Sequence, residues 1–179
     1  YFSFAQDYPT QIGNIIVQEK PHIKKNNVIK FSKDELKYLK EKKKILMCID
    51  SNAMPYEKIN DGEHYGMVSD YFKNFQKHLS IPIEIVKTQD WSETLSFARA
   101  KKCDIISLAL ETPNRLSYLN FTKPYIKSSM ALATKIHEPF ITSINQVKHL
   151  KIGVIKGFAN YELLKNKYPD INLVEINSL

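Results

Sequence analysis

Apolar residues in this chain follow two rhythms from Ile45 onward: short unbroken runs, and stretches where they recur three or four residues apart. Ile45-Leu46-Met47-Cys48-Ile49-Asp50 has no polar break before its last residue, as a parallel strand buried on both faces requires. Met67, Val68, Tyr71, Phe72, Phe75 and Leu79 mark one face of a helix over 66–79. Ile81 to Val86 reads as a second strand, with Pro82 near its start, where a missing N–H is tolerated. Asp90 and Glu93 form a capping box, and Trp91, Leu95 and Ala98 carry a helix to about Ala100. Cys103 to Leu110 reads as a third strand running into a helix that Thr112 opens. This β-α-β-α-β succession predicts a doubly wound α/β sheet.

The rhythm changes afterwards. Ser128 to Ile136 is an extended apolar stretch, and Ser143 to Leu150 a short helix. Lys151 to Lys156 is a strand ending at Gly157, Ala159 to about Tyr168 a helix, and Ile171 to Ile176 a further strand. A second β-α-β unit, and with it a second lobe, begins here. Ahead of Ile45, Ile15-Ile16-Val17 reads as a short strand and Asn26-Asn27 as a turn. Ser32 and Glu35 form a capping box, Phe31 can staple to Leu36, and the lysine-rich helix runs to about Lys42 as a connector. The organisation is thus 1–44, an N-terminal linker or the end of a preceding domain with a connector helix; 45–127, lobe one; and 128–179, hinge and first part of lobe two.

Charge alters this picture little. The formal net charge of +7 lies mostly in residues 1–44, where ten Lys oppose five acidic residues. No basic-aromatic stripe accompanies it, so nucleic acid is not an expected partner. No apolar stretch approaches the ~18 residues of a membrane span. The chain opens at Tyr1 without a signal peptide, as a mature or excised segment does. Cys48 and Cys103 stand alone in apolar stretches without metal spacing; they read as buried thiols, with a disulfide left open. The five His are scattered and no phosphate-binding or nucleophile motif occurs, so no metal and no cofactor is expected.

Residues 104–125 carry the chemistry. An apolar strand feeds the Thr112-Pro113 helix start, and Arg115 follows at about the third helical position. Backbone N–H groups, the helix dipole and a guanidinium fork converge at a strand's C-terminal end, where open α/β sheets bind ligands. A small carboxylate suits such a place. The plainer alternative pairs Arg115 with a surface acid such as Glu111. Tyr56 follows a proline in a loop, Trp91 opens a helix and Asp50 ends a strand; each reads as either pocket or packing.

Several pieces resemble a known family: Ile45–Asp50, Met54-Pro55-Tyr56-Glu57, Gly66 to Phe72, Trp91 to Leu95, Thr112-Pro113-Asn114-Arg115, Asn120 to Tyr125 and Gly153 to Gly157. Their order and spacing resemble bacterial extracytoplasmic solute-binding proteins of family 3. They are especially similar to the Venus-flytrap sensor domains of histidine kinases and diguanylate cyclases. The resemblance implies a periplasmic-binding-protein-like type II fold, with two lobes joined by hinge strands near 125–135 and a ligand between them. It assigns the ligand carboxylate to Arg115, a backbone or hydroxyl contact to Thr112, an aromatic cover to Tyr56, and backbone N–H groups to the Gly157 turn.

Two departures bear on the ligand. Amino-acid binders carry a hydroxyl residue where this chain has Leu110, and Ser or Thr just after the glycine, where this chain has Phe158. The chain is also short for the family, which predicts partial disorder, dimerisation or strand exchange. The expected function is an extracytoplasmic sensor module for a carboxylate or amino-acid-like ligand. Its expected partners are the signalling domains of a parent receptor, and its location the periplasm, attached to the inner membrane through segments outside this chain. The alternatives are the binding component of an amino-acid uptake transporter and, further off, a dehydratase using Glu57 or Glu111 as acid or base.

Overall fold

The computed structural model describes residues 29–127 and 130–177. The strand read at Ile15–Val17 and the turn at Asn26-Asn27 lie outside these residues. Lobe one is built on β1 (Ile45–Cys48), β5 (Ile83–Val86) and β6 (Ile105–Ile106), a parallel sheet in the order β5-β1-β6. Met47 of the central strand lies opposite both Ile85 and Ile105. The crossovers are helices α2 (Met67–Gln76) and α3 (Trp91–Arg99). Met47, Cys48, Ile49 and Val68 are buried, as the unbroken apolar run demands.

The third strand is shorter than the run Cys103–Leu110 predicts. The Ser107 amide makes the last ladder bond, to the Cys48 carbonyl; beyond it the backbone carbonyls take side-chain donors, Tyr125 at Ser107 and Arg115 at Leu110. Cys48 and Cys103 are not free thiols. The parallel neighbours bring their Cα atoms to 5.7 Å, and they form a disulfide. The bond is packed by Ala98, Leu46, Val86, Phe97, Ile106 and Leu119.

Residues 51–66, read as a loop, contain a three-stranded antiparallel sheet: β2 (Asn52–Ala53), β3 (Glu57–Asn60) and β4 (Glu63–Tyr65). Asp61 and Gly62 both have positive φ and form the two-residue hairpin turn. These strands are short and polar, so no alternation announced them. Gly66 then runs against this sheet: a Cβ there would lie 2.3 Å from the Tyr56 carbonyl oxygen.

The connector helix α1 (Lys33–Lys42) carries the expected Ser32–Glu35 capping box. It docks through buried Leu39 and a 2.6 Å ion pair between Lys42 and Asp104. At α3 the capping box is only half present. Asp90 accepts from the Glu93 amide, but the Glu93 carboxyl turns to the Gln89 amide at 2.6 Å.

Lobe two contains β7 (Ile152–Ile155), α5 (Ala159–Lys167) and β8 (Leu173–Ile176), with the two strands parallel. Ile144, Val147, Ile152, Val154, Leu164 and Ile171 form its core. The helix read over 143–150 is a single 3-10 turn at Ile144–Gln146. It ends at Val147, whose φ of −125° leaves the helical region, and the Lys148 carbonyl accepts from the Asn172 amide beside β8. None of the described residues in 125–135 belongs to a strand. Tyr125, the first residue of that stretch, stacks on Tyr71 of α2 with ring centroids 4.4 Å apart.

Candidate functional site

The C-terminal end of β6 leads into α4 (Pro113–Leu116), with Thr112 as N-cap. The Thr112 hydroxyl is buried and accepts from the Arg115 amide at 3.3 Å, so it is committed to the cap. Capping fixes the direction in which Arg115 leaves the helix. The arginine is only 5% exposed. Its Nη1 donates to the Leu110 carbonyl at 2.7 Å, and its Nη2 donates across to the Gly157 carbonyl of lobe two at 3.0 Å. Leu110 therefore serves the site through its backbone, not its side chain.

Trp91, the first residue of α3, is buried. Its indole N–H donates to the same Gly157 carbonyl at 3.0 Å. The Arg115 guanidinium lies 5.3 Å from the Trp91 ring centroid, a cation–π arrangement. Phe158 meets the same indole edge-to-face at 6.1 Å. Gly157 has φ +77°, a left-handed conformation that glycine adopts without penalty. That conformation presents its carbonyl to lobe one, whereas the family resemblance implied N–H groups there. Two donors satisfy both lone pairs of one oxygen.

Glu162 of α5 completes the junction. Its Oε1 accepts from the Asn114 amide, in the first turn of α4, at 3.3 Å. Burial pulls the Arg115 pKa down, while Tyr118 and Glu162 push it back up. The acid that acts on Arg115 is Glu162 of lobe two, in place of the expected surface partner Glu111. A groove of about 320 Å³ opens beside this junction, between Ser92, Leu95, Ser96 and Arg99 of α3 and Lys156, Gly157 and Glu175 of lobe two. It shares Gly157 with Arg115 but does not include Arg115 in its walls.

Asp50 and Tyr56 belong to a separate group under the hairpin. Glu57 is fully buried. Its carboxyl accepts from the Asp50 amide at 3.0 Å and from the Ser107 hydroxyl at 2.8 and 2.7 Å, and lies 3.1 Å from His64 Nε2. The Tyr125 hydroxyl donates to the Ser107 carbonyl. The Asp50 carboxyl accepts from the Asn52 amide at 3.0 Å. Burial raises the Asp50 pKa; the Asn52 contact opposes this, and Glu57 and Asp90 add to it. Tyr56 is half-buried in the turn between β2 and β3, its amide bonded to Ala53 and its carbonyl to Val68.

Of the residues read from the sequence, the structure thus gathers Arg115, Thr112, Leu110, Gly157 and Trp91, and sets Asp50 and Tyr56 with the Glu57 group. Glu162 and Phe158 as junction residues were missed, because nothing in a surface-helix pattern distinguishes an acid that reaches the other lobe. Glu57 was read as a possible acid–base group; its burial under Ser107, Asp50 and His64 makes it a structural hub. Among the described residues no group of three His, Cys, Asp or Glu side chains is placed to hold a metal ion.

Comparison with known proteins follows the same lines. The model of "bacterial extracellular solute-binding proteins, family 3" matches residues 45–172. The chain is 18% identical over 145 residues to the virulence sensor protein BvgS of Bordetella pertussis, covering 80% of this chain and 12% of that protein. The periplasmic VFT2 domain of BvgS superposes with a TM-score of 0.72 at 17% identity, covering 83% of this chain and 64% of that one. AncCDT-1, an ancestral amino-acid-binding protein and precursor of cyclohexadienyl dehydratase, gives 0.67 at 21%, covering 80% and 65%. A solute receptor for L-cysteine of Neisseria gonorrhoeae gives 0.66 at 22%, covering 80% and 59%. The chain spans less than two thirds of the length of each. The fold is the periplasmic-binding-protein-like type II fold.

Proposed function

This chain belongs to the bacterial extracellular solute-binding proteins of family 3, and we propose that its cleft reads a small carboxylate or amino-acid-like ligand for a membrane signalling receptor. One observation carries the reading: Arg115 is buried at the junction and touches both lobes at once. A guanidinium fork matches a carboxylate in charge and in geometry. A ligand that takes the Nη2 edge changes the contact between the lobes, and so biases a two-state output. In this reading residues 1–44 supply a connector, 45–127 lobe one and 128–179 the hinge and part of lobe two. The location is periplasmic, with kinase or cyclase domains elsewhere in the parent.

The family is one of binding modules, and we read this chain as a non-enzyme. Glu57 is held by three partners and shielded from solvent, while Glu111 is exposed. A second reading, the binding component of an uptake transporter, draws support from the amino-acid-binding neighbours.

A thermal-shift screen of amino acids and small carboxylates tests the proposal, with Arg115→Lys beside the wild type. Lysine keeps the charge and loses the fork. A ligand at 100 times its Kd stabilises by ~2.7 kcal/mol, about 5–11 °C for a domain of this size. The expected outcome is a shift in the wild type that Arg115→Lys loses. A shift of equal size in both proteins would remove Arg115 from the site.

A further inference from the structure

We propose that lobe two carries its own occupant for the Arg115 site: the Gly157 carbonyl and the Glu162 carboxylate latch the lobes together, and a ligand must displace them. The proposal rests on the reading of Arg115 as the ligand-binding group and adds the regulation of that site. Three hydrogen bonds and one ring contact between described residues meet here, and on the lobe-two side they come from one short stretch, 157–162. Arg115 and Trp91 both donate to the Gly157 carbonyl at 3.0 Å, Glu162 accepts from the Asn114 amide at 3.3 Å, and Phe158 packs its edge on Trp91. The acceptors are oxygens, a carbonyl and a carboxylate, and the two oxygens of a ligand carboxylate would compete for the same donors.

The latch has a built geometry. Left-handed φ at Gly157 turns its carbonyl toward lobe one. A Cβ at this position would meet Trp91 Cδ1 at 3.4 Å and Leu95 Cδ1 at 3.6 Å, so the backbone already lies in van der Waals contact with α3. Glu162 stands on α5, whose own first residue, Ala159, is buried. The acid thus moves with the body of lobe two. Arg115 is anchored on the other side by Leu110, so the guanidinium is fixed to lobe one and its Nη2 edge is the part that exchanges partner. Ligand entry is then coupled to release of the Gly157 contact. The affinity measured for any ligand is lowered by the fraction of molecules that are latched.

The test is an interlobe distance distribution by pulsed electron spin resonance, with no ligand added. Spin labels are placed through Lys77→Cys on lobe one and His149→Cys on lobe two, both exposed positions. The parent protein should give one narrow short distance. Trp91→Phe keeps the ring and removes one donor; Glu162→Gln keeps the size and removes the charge. Each should lower the closed-to-open ratio by about fivefold, the equivalent of one modest hydrogen bond, and the pair together should populate a longer distance. Unchanged circular dichroism and an intact Cys48–Cys103 bond show that the variants are folded. A broad or long distance in the parent overturns the latch, and so does a distribution that neither variant moves. Failure of the carboxylate reading is separate: no acid then shifts the melting temperature, while the distances still respond to Trp91→Phe and Glu162→Gln.

Discussion

Reduction of the Cys48–Cys103 bond is the perturbation whose size follows most directly from the structure. The bond joins the end of β1 to the entry of β6 and closes a loop with a sequence separation of 55. In the chain-entropy account, a cross-link of that span removes about 14 cal/mol/K from the unfolded ensemble, or ~4 kcal/mol at 25 °C. Because the loop contains α2, β5 and α3, it constrains most of lobe one. At 2–4 °C per kcal/mol the melting temperature should fall by roughly 8–16 °C.

The assay is a pair of urea denaturation curves, with the reduced sample prepared in denaturant because Cys48 is inaccessible in the folded state. Reduction should lower the midpoint and raise the slope m, since the unlinked unfolded chain exposes more surface. Coincident curves would refute the reasoning, as would two free thiols in denatured protein that has never met a reductant. A native bond of this kind also belongs to an oxidising compartment. Recovery of the oxidised form from periplasm, against the reduced form from cytosol, would support the proposed location.

Two further outcomes concern the group beneath the hairpin. Asp50 has a raised pKa in the folded protein, chiefly from burial, so between its ordinary value near 3.9 and the raised value the native state binds more protons than the unfolded state. Its contribution to stability is full below that window and lost as pH rises through it. Asp50→Asn should therefore gain on the wild type across the window and hold a constant difference above it; a difference that is flat throughout removes Asp50 from the account. Glu57→Ala leaves the Asp50 amide, Ser107 hydroxyl and His64 without their common acceptor, and should cost about 3–5 kcal/mol in urea denaturation. Glu57→Gln, which keeps one oxygen, should cost about 1–3 kcal/mol; the reverse order would refute the role of the carboxyl as their common acceptor.

Elements were legible where burial imposes a period or a cap imposes a residue type. The unbroken run at Ile45 located the central strand, the Ser32–Glu35 box located the start of α1, and Thr112 located the cap that aims Arg115. Of the hairpin at residues 52–65 only the Asp61-Gly62 turn could be read, because its strands are two to four residues long and mostly polar. β6 was overestimated because an apolar run says that a segment is buried, not that it is paired. The disulfide could not be deduced from two isolated cysteines, since their meeting depends on which strands are neighbours. The site was half legible for the same reason. Residues local to the Thr112 turn were identified, whereas Glu162 and Glu57 act across 48 and 50 residues of sequence.

These long-range partners share one geometric origin. In lobe one, β1 ends at Cys48 and delivers Asp50, while β6 ends at Ile106 and delivers Ser107 and then Leu110 and Thr112. β5 ends at Val86 and delivers Thr88, whose hydroxyl lies 2.6 Å from that of Thr94; Thr94 in turn donates to the Ile49 carbonyl at 2.8 Å. In lobe two, β7 ends at Ile155 and delivers Gly157. Parallel strands point all their C-terminal ends the same way, so each lobe presents a single edge of chain exits, and Arg115 and Trp91 meet Gly157 where the two edges face each other. A substitution in the lobe-two core, such as Leu164→Ala, should therefore move Gly157 and register in the distance distribution between the lobes, although Leu164 packs in the core of lobe two. Loss of stability without any change in that distribution would mean that the Gly157 turn is held by its own backbone and not by the core behind it.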